Sequence, residues 1–404
     1  MEIFWIFAGI TILGLVGYGL QIFAVRSHIS ASPLNSGEGN SLPRSFPPIS
    51  ILKPLKGLDD NLFDNLESFC MLDYPEYEII FSLQDFNDPA YKVARKIKDK
   101  YPDKDIAIVV EHCEDGLNPK VNNLIPAYRV AKHQHILISD SNVMADKYYL
   151  REISRPMNEQ GVGLVSNLIK GVGGRSIGSI FENLHMNSFV MGSVCFLDKF
   201  LKMPCVIGKS MLMKKRDIEA IGGLKAYKDV LAEDYMIGKM MQESGKKVVL
   251  SSYVINNVNH YWGIRKFINR HTRWGKLRWK IGGIKYFSEL IGNAVFMSTL
   301  PIMLWEPSKI TVSFALLVAL LKASGDFYIG RRAASDLNPF FYFLAPVKDI
   351  VIGLIWFVPL VSNTVSWRGH RFIIEKNSAL LPCPGNGFWS WRYRIANAIR
   401  ERLA

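Results

Sequence analysis

Three aspartates and one lysine stand next to short apolar runs of the kind that form buried strands or helices. Lys53, Asp85 and Asp140 each follow such a run, and Asp234 comes directly before one. Ligands of open parallel sheets bind at the carboxyl ends of the strands, so we predict that Lys53, Asp85 and Asp140 converge on one binding site. Aspartates also cap turns and helices, and this structural alternative stays open for all three acids.

The same acids suggest a group transfer from a phosphorylated donor. Asp140 and Asn142, in the segment Asp-Ser-Asn, could hold a divalent cation that carries a diphosphate, because both side chains offer oxygen ligands. Asp234 follows Glu233 at the start of an apolar helix, and a carboxylate in that place suits a general base. A transfer to a hydroxyl group needs such a base.

A dense basic segment covers residues 265–280 and contains the sequence Arg-His-Thr-Arg-Trp at 270–274. Arg270 and Arg273 are three residues apart and therefore share one face of a helix. A pair of arginines on one face could bind a diphosphate in a bidentate manner. A basic patch that holds anionic lipid beside the membrane is the alternative, and both interpretations can hold together.

Strands and helices alternate in the segments that must position these residues. The predicted strands cover 49–52, 78–83, 105–110 and 136–139, and the predicted helices cover 60–72 and 90–100. Because this alternation is typical of βαβ units, we predict an α/β fold with a doubly wound, mainly parallel sheet.

Long apolar runs predict membrane segments at both ends of the chain. Ile3–Val25 carries no charge over 23 residues, enough to span a hydrocarbon core of about 30 Å. The chain begins Met-Glu and Arg26 follows the run, which favours an uncleaved anchor over a signal peptide. The positive charge after the run places the following domain in the cytoplasm.

Three further apolar runs lie near the C-terminus. Leu290–Trp305 and Ile310–Leu321 are predicted as two helices of a hairpin. Ile350–Trp367 is long enough to cross the membrane, but the basic residues after it favour a re-entrant or interfacial hairpin as much as a crossing. Phe189–Pro204 is either an interfacial segment that admits lipid or a buried core helix.

Composition narrows the class of protein. The chain has 404 residues with a formal net charge of +13, which suits an anionic membrane or a phosphorylated substrate. Nothing in it resembles a nucleic-acid module. The five cysteines are widely spaced, so neither a disulfide framework nor a cysteine metal site is predicted, and a reduced cytosolic domain fits best.

Several motifs in a fixed order resemble the ceramide glucosyltransferase family and its bacterial relatives that act on hopanoids or other lipids. They are Lys-Pro-Leu-Lys-Gly at 53–57, Asn-Pro-Lys-Val-Asn-Asn-Leu at 118–124, Ala-Glu-Asp-Tyr at 232–235, Arg-Trp at 273–274 and Ser-Trp-Arg at 366–368. The resemblance covers nearly the whole chain. It implies an inverting nucleotide-sugar transferase of the GT-A fold, with transmembrane helices at both ends.

The resemblance also implies roles for residues at matching positions. Asp234 would be the catalytic base, Asp85 would hold the nucleotide, and Asp140 would face the diphosphate and a Mn or Mg ion together with Asn142. Asn142 stands where the family's metal motif has an acid, which leaves the strength of metal dependence open. The other donor-site residues implied are Lys120, Asn123, Gly208, Arg270, Arg273 and Trp274, with Cys205 beside them.

The implied reaction moves a sugar, most simply glucose, from a UDP-sugar to the hydroxyl of a membrane lipid such as ceramide, giving a β-glycolipid. A hopanoid or diacylglycerol acceptor with UDP-GlcNAc, a processive polysaccharide synthase and a non-catalytic membrane adaptor are the alternatives. The oligomeric state stays open. The predicted organisation is an anchor (1–28), a linker (29–47), a cytoplasmic GT-A domain (48–285), a membrane region (286–367) and a basic tail (368–404).

Overall fold

A computed structural model describes residues 2–30, 46–203, 205–305, 307–367 and 369–383. Its helices are α1 Glu2–Ser30, α2 Leu62–Cys70, α3 Pro89–Lys100, α4 Pro119–Val130, α5 Tyr149–Ser154, α6 Ile177–His185, α7 Met191–Leu201, α8 Lys215–Ala220, α9 Glu233–Glu243, α10 Ile264–Gly282, α11 Phe287–Gly292, α12 Ala294–Leu304, α13 Lys309–Arg332, α14 Ala345–Ile355 and α15 Val358–Val361. Its strands are β1 Ile49–Pro54, β2 Tyr77–Leu83, β3 Ile106–Val110, β4 His135–Ile138, β5 Val143–Met144, β6 Val162–Val172, β7 Met211–Lys214, β8 Lys247–Val258, β9 Thr364–Trp367, β10 His370–Ile374 and β11 Leu380–Pro382.

The first eight strands form one mixed sheet in the order β3-β2-β1-β4-β7-β6-β8-β5. Strands β3, β2, β1 and β4 run parallel to one another, and β6 runs parallel to β8, which confirms the predicted α/β fold with a mainly parallel sheet. Every residue of β1 is buried, as expected for a central parallel strand covered on both faces. Strand β7 is antiparallel to both β4 and β6.

Helix starts near the sheet edge are fixed by side-chain caps. The Asn118 side chain accepts hydrogen bonds from the backbone N–H groups of Lys120 and Val121, and Pro119 takes the first position of α4. Asp88 caps α3 in the same way through the N–H of Ala90. These caps orient both helices away from the carboxyl ends of β1, β2 and β4.

Within the part of the chain that the structure describes, three helical segments are long and apolar enough to cross a membrane: Glu2–Ser30, Lys309–Arg332 and Pro339–Val361. A fourth candidate is the bent pair Ile264–Gly292 with Ala294–Leu304, which turns by 74°. The chain is therefore a membrane protein. The predicted anchor over Ile3–Val25 lies within α1.

The C-terminal membrane region differs in detail from the prediction. In place of one long helix over Leu290–Trp305, the structure has the short helix α12 after a sharp bend. The last apolar segment begins at Pro339 and ends at Val361, so a helix over Ile350–Trp367 is not formed. Residues 364–367 instead pair with β10, because alternate side chains such as Val365 are buried in an apolar cluster with Leu231.

Charged side chains join α1, α13 and α14 inside the membrane region. The Lys322 Nζ lies 2.5 Å from Asp326 Oδ1, four residues further along α13, and 3.3 Å from Asp349 Oδ2. Lys348 pairs with Asp349 at 2.7 Å, and the Tyr18 hydroxyl donates a hydrogen bond to Asp326 at 2.6 Å. Such groups persist at membrane depth only when they are paired, so this network fixes the three helices relative to one another.

The small sheet of β9, β10 and β11 crosses the predicted boundary at residue 367 and packs against the loop before α9. Ala379 forms a bridge with Val230, and the N–H of Leu231 donates to the Ser378 carbonyl at 2.9 Å. Phe372 and Ile374 pack against Leu231 in one apolar cluster. The described residues 369–383 of the C-terminal segment therefore pack against residues 48–285.

Candidate active site

A cavity of about 1710 Å³ opens at the edge of the sheet where β1, β2 and β4 end. Asp85, Lys120, Asn123 and Asp140 line it. The carboxyl ends of parallel strands meet at this edge, as the sequence predicted. Strand β7 runs in the opposite direction, so the loop before it reaches the same edge and brings Gly208 to the cavity.

Lys120 lies at the centre of the charged part of this cavity. Its ammonium group is 2.9 Å from Asp140 Oδ1 and 3.0 Å from Glu233 Oε1, and it donates to the Gly208 carbonyl at 2.9 Å. Burial lowers the pKa of Lys120, but the carboxylates of Asp140, Glu233 and Asp234 outweigh it and raise the pKa above its ordinary value. Lys120 therefore stays charged.

Asp140 lies between two ammonium groups. Lys209, which follows Gly208, approaches the second oxygen of Asp140 at 3.1 Å. Burial raises the pKa of Asp140, but Lys120 and Lys209 dominate and hold the pKa well below its usual range. Asp140 is therefore a carboxylate at any physiological pH.

Lys53 supports the site from beneath and does not line the cavity. It is fully buried, lies 3.4 Å from the centroid of the Phe69 ring, and donates to the Asp140 carbonyl at 3.0 Å and to Ser139 Oγ at 3.2 Å. The structure therefore places Lys53 outside the lining of the cavity, and its contact with the donor stays a prediction. Apolar burial lowers the pKa of Lys53 well below its ordinary value, although the Asp140 charge opposes this.

Asp234 meets both the charged part of the cavity and the loop before β7. Its Oδ2 accepts from the Gly208 N–H at 2.7 Å, and its Oδ1 accepts from the Tyr235 N–H at 2.8 Å. The N-cap position of α9 is Ala232, without a side-chain cap, so the alternative that Asp234 caps this helix does not hold. Burial, followed by the charge of Glu233, raises the pKa of Asp234 to about 6.

Gly208 is required where it stands because of a close approach. A Cβ atom at this position would lie 2.8 Å from Asp234 Oδ2 and 3.0 Å from Lys120 Nζ. The position therefore admits no larger residue without moving one of those two charged groups.

Asp85 and Asn123 lie at the end of the cavity beside β2. Asp85 Oδ1 accepts from the Asn87 N–H at 2.8 Å, so the residue also forms the turn that the structural alternative predicted. The Asn123 amide donates to the Leu55 carbonyl and accepts from Ser82 Oγ, both at 2.9 Å. Asn123 thereby ties α4 to the ends of β1 and β2.

Helix α10 forms the opposite wall. Arg270, Arg273 and Trp274 line the cavity from one face of the helix, as their spacing predicted. The Arg270 guanidinium lies 4.4 Å from the Trp274 ring centroid and 3.3 Å from the carboxylate of Glu182.

Glu182 is fully buried and is one of the residues that the sequence did not suggest. Burial raises its pKa, but Arg270 and His271 oppose this and lower the pKa to about 2. Arg270 thus faces the cavity beside a buried carboxylate. Arg273 lies 6.0 Å from the ring centroid of Trp367 on β9.

An apolar arm of the cavity extends from the loop before β7 toward α7. Its lining includes Ile169, Val190, Val194, Leu197 and Met203. Helix α7 packs against α1 through Met191, Val194 and Cys195, while Phe200 and Leu201 near its end are exposed. The two alternatives for Phe189–Pro204 are thus combined in its described residues: a packed helix with an apolar exposed end.

Comparison with known proteins identifies the family. Residues 9–380 match the family model described as Glycosyl transferase family 21. The chain belongs to glycosyl transferase family 21.

Relatives of this family-21 transferase include ceramide glucosyltransferase 3 of Caenorhabditis elegans, which is 27% identical over 84% of this chain and 75% of its own length. Ceramide glucosyltransferase of Komagataella phaffii is 30% identical over 44% of this chain and 39% of its own length. A solved mannosyltransferase of Pyrobaculum calidifontis, in complex with GDP-Man and Mn²⁺, has a TM-score of 0.51 and 14% identity, covering 89% of this chain and 97% of its own. This last likeness confirms the GT-A fold.

The predicted metal ligands, Asp140 and Asn142, do not fit a divalent cation in this family-21 transferase. Asp140 supplies one carboxylate, and Lys120 and Lys209 contact its two oxygens. Asn142 supplies an amide oxygen, which accepts from Lys209 at 2.7 Å. Among the described residues no group of three or more His, Cys, Asp or Glu side chains could hold a metal ion. A hard divalent cation needs several anionic or neutral oxygens that face it, and here an ammonium group already contacts each of them.

Proposed function

We propose that this chain transfers glucose from UDP-glucose to a hydroxyl group of a membrane lipid such as ceramide, with inversion at the anomeric carbon. The observation that carries this proposal is the position of Asp234. It contacts Gly208, whose carbonyl is bonded to Lys120 in the charged part of the cavity, while the residues just before Gly208 line the apolar arm. A base at this junction can reach a lipid hydroxyl and a sugar at once.

The charged part of the cavity suits a nucleoside diphosphate. Lys120, Lys209 and Arg273 line it and supply cations for the two phosphates. Asp85, at the end of β2, is assigned to the nucleoside. The names of the worm and yeast relatives support a glucosyl donor and a ceramide acceptor.

The reaction follows as one displacement. Asp234 accepts the proton of the lipid hydroxyl, and that oxygen forms a bond with the anomeric carbon as the bond to the β-phosphate oxygen breaks. UDP leaves on the opposite face, so the product is a β-glycolipid. The cations that face the diphosphate stabilise the charge that develops on the leaving group. A pKa of about 6 for Asp234 keeps the base mostly ionised at neutral pH yet basic enough to accept a proton.

The apolar arm supports a lipid acceptor, because it joins the base to α7 and α1. A hopanoid or diacylglycerol acceptor with UDP-GlcNAc would use the same arm. A processive synthase is disfavoured: the three candidate membrane spans of the described residues, or four with the bent pair, leave little space for a channel that carries a polymer. We place the catalytic domain, residues 48–285, in the cytoplasm on the basis of the charge that follows α1.

The test is incubation of the purified full chain with a panel of UDP-sugars and lipids, read by mass spectrometry. A single glucose on ceramide, with the β configuration by proton NMR, is the expected result. A water-soluble polymer would favour the synthase, and transfer to diacylglycerol or a hopanoid alone would reassign the acceptor. Lack of transfer from every sugar nucleotide would refute the proposal.

A further inference from the structure

We propose that the ammonium group of Lys209 takes the place of a divalent cation in this chain: it joins Asp140 to Asn142 and neutralises the diphosphate of the donor. The inference rests on the proposed function, because it assigns a role within the same site. It removes the metal requirement that the sequence suggested.

Lys209 contacts both side chains that would have to hold the metal. Its Nζ lies 3.1 Å from Asp140 Oδ2 and 2.7 Å from Asn142 Oδ1. A cation bound by these two residues would need the same two oxygens. The lysine therefore makes the bridge between Asp140 and Asn142 that a metal would otherwise make.

The charges around Asp140 also oppose a metal. Its other oxygen is contacted by Lys120 at 2.9 Å, so one negative charge already faces two positive ones. Mn²⁺ or Mg²⁺ binds oxygen at roughly 2 Å, so at either oxygen of Asp140 it would lie within about 5 Å of the ammonium group that contacts that oxygen, where like charges repel strongly. The amide at position 142 supplies no charge to offset this repulsion.

The segment that carries Asp140 is anchored by hydrogen bonds at two points. Lys53 donates to the Asp140 carbonyl from beneath, and Ser141 Oγ donates to the Asp59 carboxylate. Lys209 lines the cavity, and 13% of its side chain is exposed, so its ammonium group can reach a bound diphosphate.

The test is UDP binding to the full chain in detergent, measured by calorimetry in EDTA and again in Mn²⁺. We expect the wild-type affinity to change less than about threefold between the two buffers. Lys209→Met should weaken binding in EDTA by about tenfold or more, the scale of one lost charge-assisted contact. Lys209→Arg keeps the charge and should stay within about threefold of wild type. Lys96→Met, on an exposed lysine of α3, is the matched control and should change nothing.

A double variant, Asn142→Asp with Lys209→Met, supplies the second acid and removes the ammonium group. It should bind Mn²⁺, seen as loss of the free-ion signal in electron paramagnetic resonance, and should recover UDP affinity only with that ion. The melting temperature of each variant reports whether it is folded.

The two proposals fail in different ways. If wild-type UDP affinity falls about tenfold or more in EDTA and returns with Mn²⁺, the Lys209 inference is wrong while the donor assignment stands. Folded Lys209→Met with wild-type affinity in EDTA would also overturn it. If UDP binds under no condition, the proposed function fails and the inference falls with it.

Discussion

Replacing Asp234 by asparagine tests the assignment of the base. The variant removes the basic oxygen, so kcat should fall by about 10² or more, the usual contribution of a positioned general base. UDP affinity should change little, because the carboxylate contacts the Gly208 and Tyr235 N–H groups rather than the cations that face the diphosphate.

The expected change in stability is small because two effects oppose each other. Asparagine has one acceptor oxygen, whereas Asp234 accepts one backbone N–H on each of its two oxygens. One N–H group therefore loses its partner, at a cost of about 1 to 3 kcal/mol. The raised pKa means that burial of the negative charge destabilises the folded chain at neutral pH by about 3 kcal/mol, and the substitution removes that penalty.

The pH dependence follows from the same pKa. With the pKa of Asp234 raised to about 6, the base is protonated below that pH, so kcat should fall tenfold per pH unit on the acid side. Because the pKa of Asp234 is higher in the folded chain than in the unfolded chain, its contribution to the free energy of unfolding is largest below the unfolded pKa. That contribution is lost as the pH rises to about 6.

The assay compares turnover, UDP affinity and melting temperature for Asp234→Asn and for Asp229→Asn. Asp229 lies in the same loop and accepts the Leu117 N–H at 2.9 Å, but it does not line the cavity. The control should keep most of its turnover. Turnover of Asp234→Asn within a few-fold of wild type would refute the assignment and make Glu233 the next candidate.

Three further outcomes are expected. Gly208→Ala should lower kcat by about tenfold or more, because its Cβ would lie 2.8 Å from Asp234 Oδ2; a steady-state rate equal to that of wild type would contradict the close approach. Lys322→Met should lower the melting temperature clearly, since it removes the partner of buried Asp326, and breaking a buried pair costs about 3 to 5 kcal/mol; restored stability in Lys322→Met with Asp326→Asn would be the supporting control. A cysteine placed at exposed position 96 should react with an impermeant reagent only after the cytoplasmic side is opened, and labelling in intact cells would contradict the topology.

The fold was predictable because the alternation of apolar strands and helices is visible in short segments of the sequence. The apolar runs before Lys53, Asp85 and Asp140 are strands whose carboxyl ends share one edge, so their alternation with helices was sufficient to predict that edge. The spacing of Arg270 and Arg273 likewise placed both on the cavity side of α10.

The contributions of Lys209 and Glu182 could not be predicted in this way. Lys209 reaches the site only because β7 runs antiparallel to β4, a pairing between strands some 75 residues apart. A lysine after a glycine gives no local signal of this. Glu182 lies on α6, which reads as an apolar packing helix, and its role depends on the packing of α10 against it.

Lys53 shows the opposite case. Its position at the end of a strand predicted a ligand contact, but the side chain of a residue on a strand points to one of two faces, and a shift of one residue reverses the choice. Here the chain directs Lys53 into the core against Phe69. Strand ends therefore identify the edge of a site more reliably than the side chains that face it.

The bridge between Val230 and Ala379 has a consequence for biosynthesis. The loop that leads to Asp234 is completed by residues close to the end of the described chain, since Leu231 and Ala232 bond to Ser378. A ribosome must therefore translate every candidate membrane span of the described residues before this loop can acquire the segment that it pairs with. A nascent chain that stalls earlier would hold this loop without its partner segment, so we expect sugar transfer to begin only after those spans have been made.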